Sequence, residues 1–303
     1  MKNRLKALRT TRMSNSDKIF YAVIGIVMFI LTISVLYPII YIISASFSSS
    51  AAVSEGRVWL WPVEFSLEAY KAVFEYKDLW LGYRNTIFYV VVGTIMNVAI
   101  EMVCAYPLAR KDLWGKSAIS FLFTFTMLFG GGMIPNYMLV KNLGMLNTRW
   151  ALLIPGLMSV YNVIVARTFI QNNIPEELLE ASQIDGCNDV QFFFQMVLPL
   201  SKAIIAVLTL WHAVGHWNAY FSAFLYITEE KLYPLQVFLK EILVQSSVNT
   251  EVVGDVSDAL QMQNLKQLLK YAIIVVSTVP LFAFYPFVQK HFVKGVTIGS
   301  VKG

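Results

Sequence analysis

Charge is what this sequence has least of. Only 14% of its 303 residues are Asp, Glu, Lys or Arg, against roughly 25% in soluble domains. Hydrophobic residues make up 57%, and mean hydropathy is +0.59. That balance excludes a soluble enzyme. The two cysteines, Cys104 and Cys187, fall in an apolar run and in a polar insert, so no disulfide framework exists. Three histidines leave little room for metal chemistry. His212 and His216 stand one turn apart, but Ala213 sits where the zinc-hydrolase helix needs Glu, and His291 is distant. No phosphate-cradling loop is present either. Gly115-Lys116-Ser117 ends like one, yet Arg110 stands where the upstream glycine is required. The chain therefore does not bind ATP by itself. It also offers no nucleophile–base pair, no tandem repeat and no low-complexity linker.

What the sequence does have is long apolar runs. Six of them, at 19–43, 85–108, 117–139, 150–170, 201–227 and 268–288, match the ~20 residues of helix needed to cross a bilayer. The expected fold class is all-α, a polytopic membrane protein with six transmembrane helices. The first run is about 25 residues, longer than the 7–15 of a secretory h-region, and reads as a spanning helix. Basic residues set the orientation. Lys2, Arg4, Lys6, Arg9, Arg12 and Lys18 precede the first run, Arg110, Lys111 and Lys116 follow the second, and Lys290, Lys294 and Lys302 follow the last. Both termini are expected in the cytoplasm. The formal charge of +5 is then a topology signal, and nucleic-acid binding is not needed to explain it. The chain divides into a basic segment 1–18, a first helix with long outer loop 19–84, a core 85–290 and a tail 291–303.

Several connections carry their own signals. The outer loop after the first helix holds Trp59, Trp61, Pro62 and Trp80, residues that prefer the membrane–water interface. The segment 66–74, with Leu67, Tyr70, Val73 and Phe74 on one face, reads either as a short helix lying on the outer surface or as a packed loop. In the outer loop 228–267, Leu232, Leu235, Leu239, Ile242 and Leu243 keep helical spacing, which predicts an amphipathic helix over 234–245 with Pro234 near its start. A polar stretch 246–258 follows. Phe129-Gly130-Gly131-Gly132-Met133-Ile134-Pro135 should loosen or break the third helix. Glu101 is an acid inside a spanning run, the kind of group that marks ion coupling in a secondary transporter. It also stands two turns before Arg110, within reach of the inner interface, as Arg167 does.

Two features remain. His212, His216, Trp217, Asn218 and Tyr220 form a polar patch in the fifth helix, either hydrogen-bonding between helices or lining a pathway for a polar solute. The second is a polar, acidic insert at 171–200 between two greasy runs, containing Glu180-Ala181-Ser182-Gln183-Ile184-Asp185-Gly186 and then Leu198-Pro199-Leu200. Asn173 is placed to cap its first helix, with Pro175 in the first turn and Glu176 at capping-box spacing. Gly186 allows a turn, and a second helix is expected over 189–197 with Phe192, Phe193 and Phe194. The predicted shape is a stiff helix–turn–helix in the cytoplasm.

This insert resembles the EAA loop of type I ABC importer permeases, in the MalG-type branch that handles carbohydrates. Glu180, Ala181, Asp185, Gly186, Phe193, Leu198 and Pro199 match its pattern, while Ser182, Cys187 and Ala203 depart from it with small or peripheral changes. Ala105-Tyr106-Pro107-Leu108-Ala109-Arg110, Trp217-Asn218 and the tail from Lys294-Gly295 to Val301-Lys302-Gly303 extend the likeness over nearly the whole chain. The resemblance implies a non-catalytic permease subunit of an ATP-driven sugar importer in the bacterial cytoplasmic membrane. Glu180, Ala181, Ser182, Asp185, Gly186, Leu198 and Pro199 would form its ATPase-coupling surface. Implied partners are a second homologous permease, two ATPase subunits, an external solute-binding protein, the sugar and the bilayer. No cofactor would bind this chain, ATP and Mg being held by the ATPase subunits. An ATP-independent transporter or channel using Glu101 is the alternative reading of the residues.

Overall fold

The computed structural model describes residues 14–248 and 268–283. The basic residues up to Arg12, most of the polar stretch 246–258, His291 and the C-terminal tail lie outside them. Among the described residues there is no strand. The chain forms two compact units, one made of residues up to Val73 with part of the last helix, the other beginning at Phe74.

The first unit starts with α1 (Asn15–Ser46), opened by Ser14, whose backbone N–H donates to Asp17 Oδ2 at 3.1 Å. Apolar side chains point outward along its length, and only Ser44, Ala45 and Ser46 are buried. A helix apolar on every face is one whose solvent is lipid. After it come α2 (Ser50–Ser54) and α3 (Glu68–Glu75). The short helix read around Leu67–Phe74 in the sequence is thus present. It is fixed by Tyr70, whose hydroxyl meets Ser46 Oγ at 2.8 Å while its ring stacks on Phe47.

The second unit is built on α4 (Lys77–Ala109). It starts eight residues before the apolar run expected at 85, and its 33 residues reach about 50 Å, well beyond a ~30 Å hydrocarbon core. The third expected span is interrupted: α5 (Lys116–Leu128) and α6 (Met133–Asn142) meet at 110° across Phe129–Gly132. Three glycines and Pro135 produce the break that their chemistry demands. The fourth is also split, into α7 (Trp150–Leu153) and α8 (Val160–Asn173), because Pro155 and Gly156 end the helix. The insert follows as α9 (Glu176–Ile184) and α10 (Asp189–Leu200). A 78° bend leads into α11 (Lys202–Trp217), then α12 (Phe221–Tyr226), α13 (Leu235–Val248) and α14 (Leu268–Ala283). The outer amphipathic helix is therefore present and runs three residues past its expected end at 245.

Among the described residues α1 and α4 are each long and apolar enough to cross a membrane, and two further bent pairs qualify only if each is taken as one span. The core of the second unit lies where α4 packs against α8, α10 and α11. Met102, Ala105, Tyr106, Val163, Ala166, Phe192, Val197 and Leu208 are buried together there.

Candidate functional site

The insert folds as a tight elbow. Pro175 fixes φ at −62° immediately before α9. Asn173 does not cap this helix as its sequence position suggested. It belongs to the last turn of α8 and donates to Phe169 O at 2.9 Å, leaving only Ile174 and Pro175 between the helices. Glu176 and Glu177 occupy the first turn of α9, where the helix dipole favours anions. At the other end Gly186 adopts φ +79°. Cys187 N then bonds Ser182 O at 2.9 Å and Gly186 N bonds Gln183 O at 3.0 Å, a Schellman closure that needs the left-handed residue. Two residues later α10 starts in a reciprocal capping box, Asn188 Oδ1 accepting from Gln191 N at 2.8 Å and Gln191 Oε1 from Asn188 N at 3.1 Å. No slack remains in the turn.

The second helix continues beyond 197 to Leu200 and contains one wide turn, Phe193–Val197, with five-residue hydrogen bonding. It falls where a regular helix would press the Pro199 ring against the Gln195 carbonyl. Phe192 and Phe193 are buried on Tyr106, their centroids 6.3 and 5.4 Å from its ring. Phe194 points outward.

The end of α4 grips both limbs of this elbow. Arg110 is 13% exposed; its Nε donates to Asp112 Oδ1 at 2.7 Å and Nη1 to Tyr106 OH at 3.2 Å, and it pairs with Asp189 at the start of α10. Asp112 above all, with Tyr106 and Asp189, holds the guanidinium above its usual range. Lys111 pairs with Glu176 at the start of α9, which raises the ammonium in turn. Gln171 adds a bond from α8 to Ala109 O at 3.1 Å. Between these supports lies a cleft of about 540 Å³, bordered by Lys111, Ile174, Glu180, Gln183 and Phe192.

The sequence-predicted coupling residues divide by direction. Glu180, Ala181, Asp185, Gly186 and Pro199 are exposed, and Ile184 beside them is 87% exposed at the tip. Ser182 is buried, donating to Leu179 O at 2.7 Å, and Leu198 packs against the core. Only the first group is available to another molecule.

Deeper in the helices lies a second polar arrangement. Glu101, fully buried, accepts from Ser159 N at 3.0 Å and Asn162 Nδ2 at 3.1 Å, and its other oxygen meets His212 Nε2 at 2.9 Å. One turn away, Asn97 accepts from His216 Nε2 at 2.8 Å and donates to Gly156 O and Leu157 O at 2.8 and 2.7 Å. The two histidines thus meet the two α4 side chains in register. Asn97 and Glu101 also satisfy backbone groups that the α7–α8 break sets free. Glu101 is turned into the helix packing, and its carboxylate has His212 of α11 as a neighbour. Trp217 is buried and donates to Ser277 O at 3.1 Å. Asn218 folds back on Val214 O at 2.9 Å, and Tyr220 lies past the end of α11 with Lys240 Nζ 4.6 Å above its ring. His212, His216 and Trp217 therefore face neighbouring helices, apart from Asn218 and Tyr220. Asn97 and Asn162 escaped the sequence reading, although Asn97 and Glu101 repeat the four-residue spacing of His212 and His216.

The described residues thus form an all-helical protein with interrupted apolar helices and a capped acidic elbow. The comparisons name the class. Residues 79–298 match the family described as binding-protein-dependent transport system inner membrane component, and the chain belongs to that family. It is 42% identical over 267 residues to the polygalacturonan/rhamnogalacturonan transport system permease protein YtcP of Bacillus subtilis (strain 168), covering 88% of this chain and 92% of that one. It is likewise 42% identical to the protein LplC of the same organism, over 88% and 89% of the two chains. In the crystal structure of a bacterial ABC transporter involved in the import of the acidic polysaccharide alginate, one chain superposes with a TM-score of 0.84 at 37% identity. That match covers 93% of this chain and all of the other. The chain is a non-catalytic membrane permease of an ABC transport system.

Proposed function

We propose that this chain is one of two permease subunits in a bacterial importer that carries an oligosaccharide, a uronate-containing one, across the cytoplasmic membrane by alternating access. It pairs with a homologous permease. Two ATPase subunits, which hold ATP and Mg, dock beneath, and a solute-binding protein delivers the sugar outside. The chain crosses the membrane six times with both termini in the cytoplasm. Relatives named for polygalacturonan, rhamnogalacturonan and alginate transport support the substrate class.

The observation that carries the reading is the elbow itself: exposed Glu180, Ile184 and Asp185 on two helices that are capped and ion-paired to the end of α4. Such a part transmits force instead of absorbing it. Access at the far end changes as the tilted helices take one of two packings. Of the polar residues His212, His216, Trp217, Asn218 and Tyr220, the exposed Asn218 and Tyr220 line the route, and the other three hold the helices beside it. Glu180→Lys should abolish ATP-dependent sugar uptake while membrane insertion and subunit assembly stay normal. Uptake at the wild-type rate would refute the coupling role.

A further inference from the structure

The helix α12 buries Ala223 and Tyr226 and leaves rings outside, Tyr220, Phe221 and Phe224 being 39%, 53% and 65% exposed. Tyr220 and Phe224 stand one turn apart, Phe224 N bonding Tyr220 O at 2.8 Å, so their rings share a side. Lys240 of α13 reaches across to that side. Its neighbours Val237, Phe238 and Leu239 are buried while Lys240 is exposed. Its Nζ lies 4.6 Å from the centre of the Tyr220 ring and 5.0 Å from that of Phe224. The acids of the same loop are engaged elsewhere: Glu229 pairs with Lys231, and Glu241 lies in the field of Glu230 and Asp78. Among the described residues no carboxylate pairs with Lys240. A ring face attracts an ammonium but does not use up its three donors, which stay available to a carboxylate. A cation does not rest against lipid tails, so the rings beneath it belong to a wet surface.

We propose that Lys240 is a specificity-determining residue that takes the carboxylate of the transported uronate, while Tyr220 and Phe224 receive the C–H face of the sugar ring. The assignment rests on the substrate class and the route given above, where Tyr220 lines the path. The pairing of groups selects the occupant. A uronate pyranose carries a negative carboxylate at one edge and an apolar C–H face beside it, and here an ammonium stands beside exposed aromatic faces. A neutral sugar would use the rings and leave the cation idle. A small inorganic anion would use the cation and leave the rings idle. Only an acidic sugar engages both.

The test uses the assembled importer in proteoliposomes with its solute-binding protein, supplied with trigalacturonate or with the same trisaccharide reduced at its carboxyls to neutral galactose units. The readout is the ratio of ATP-dependent uptake, acidic over neutral, in which any preference of the binding protein cancels when variants are compared. Lys240→Gln should lower that ratio about tenfold, the low end of what a hydrogen bond to a charged group contributes. Lys240→Arg should keep it. Phe224→Ala should slow both sugars by a common factor, because stacking is blind to charge. A ratio that Lys240→Gln leaves as it was overturns the proposal. That includes an equal fall for both sugars, the mark of an acidic side chain on the solute-binding protein or of a purely structural lysine. Lys240→Met decides in the same way if the Gln variant does not assemble. Wild type importing neither sugar would sink the uronate reading and this assignment with it. Trigalacturonate uptake with an unresponsive ratio sinks the assignment alone.

Discussion

Gly93 of α4 leaves the space that the His216 ring of α11 fills. A Cβ built there would lie 2.4 Å from His216 Nε2 and 2.7 Å from Cε1, inside any tolerable contact. In Gly93→Ala the imidazole must swing away and give up its 2.8 Å bond to Asn97 Oδ1. Overpacking of this kind costs about 1–3 kcal/mol, and an interhelical hydrogen bond in a membrane roughly 0.6–1.7. Alanine returns about 1 kcal/mol in helix propensity. The net expectation is a loss of roughly 1–3 kcal/mol, read from denaturant titration of the purified protein in micelles. The same substitution in a His216→Ala background meets no ring, so only the propensity gain remains and the sign reverses. An equal cost in both backgrounds would show that the α4–α11 contact is not set by this imidazole.

Three further outcomes follow from the geometry. At Gly186, with φ +79° and open space around a would-be Cβ, Val should be destabilising by about 1–2 kcal/mol from backbone strain alone, whereas Asn should be nearly neutral; comparable losses in thermal melts of the two variants would contradict this. Arg110 and Asp189 form a pair with one largely exposed partner, so a double-mutant cycle of the two alanine variants should return a coupling of only about 0.2–1 kcal/mol, measured on the assembled complex. Burial first, then Glu230 and Asp78, push the Glu241 carboxyl above its ordinary 4.5. The fold therefore holds that proton more tightly than the unfolded chain, and stability falls as pH rises through the raised value. Glu241→Gln should raise Tm at pH 7 and flatten its dependence between pH 4 and 7; a lower Tm at pH 7 would sink the argument.

The elements most legible in the sequence were those whose signals are local. The break at the three glycines, the amphipathic helix after Pro234 and the elbow turning at Gly186 each follow from backbone chemistry within a few residues. The short α3 was readable for the same reason. What could not be read is tertiary. Asn173 has the composition of a cap, but Pro175 starts α9 two residues later, so the preceding helix keeps it. The wide turn at Phe193–Val197 depends on both Pro199 and the burial of two rings against Tyr106. The neighbour of Glu101, His212, stands 111 residues away on another helix, which no local pattern reveals. In the proposed coupling surface the matching residues were all visible, yet their directions were not: Ser182 turns inward while Ile184, which is not among them, is 87% exposed.

The bend between α10 and α11 raises a mechanical question. In the proposed mechanism a push on the elbow would travel along α10 into a 78° corner at Ser201, and an unsupported corner would flex and waste it. The corner is supported, because α4 runs past both arms. It holds the elbow through Arg110, Lys111 and Tyr106, and it holds α11 through Asn97 with His216 and Glu101 with His212. Elbow, α4 and α11 therefore form a closed figure with two fastened sides. In a closely packed figure of this kind one angle cannot change while the fastenings last, so the corner is a brace and not a hinge. The freedom that alternating access requires must lie elsewhere, and among the described residues two of the expected spans are interrupted outside the figure: at the 110° junction at Gly130–Gly132 between α5 and α6, and at Pro155-Gly156 between α7 and α8. Of these, the second has its loose carbonyls tied to Asn97. Of these two, only the glycine junction lacks a side-chain bond to α4 among the described residues, so of the two it is the one free to move relative to the braced core.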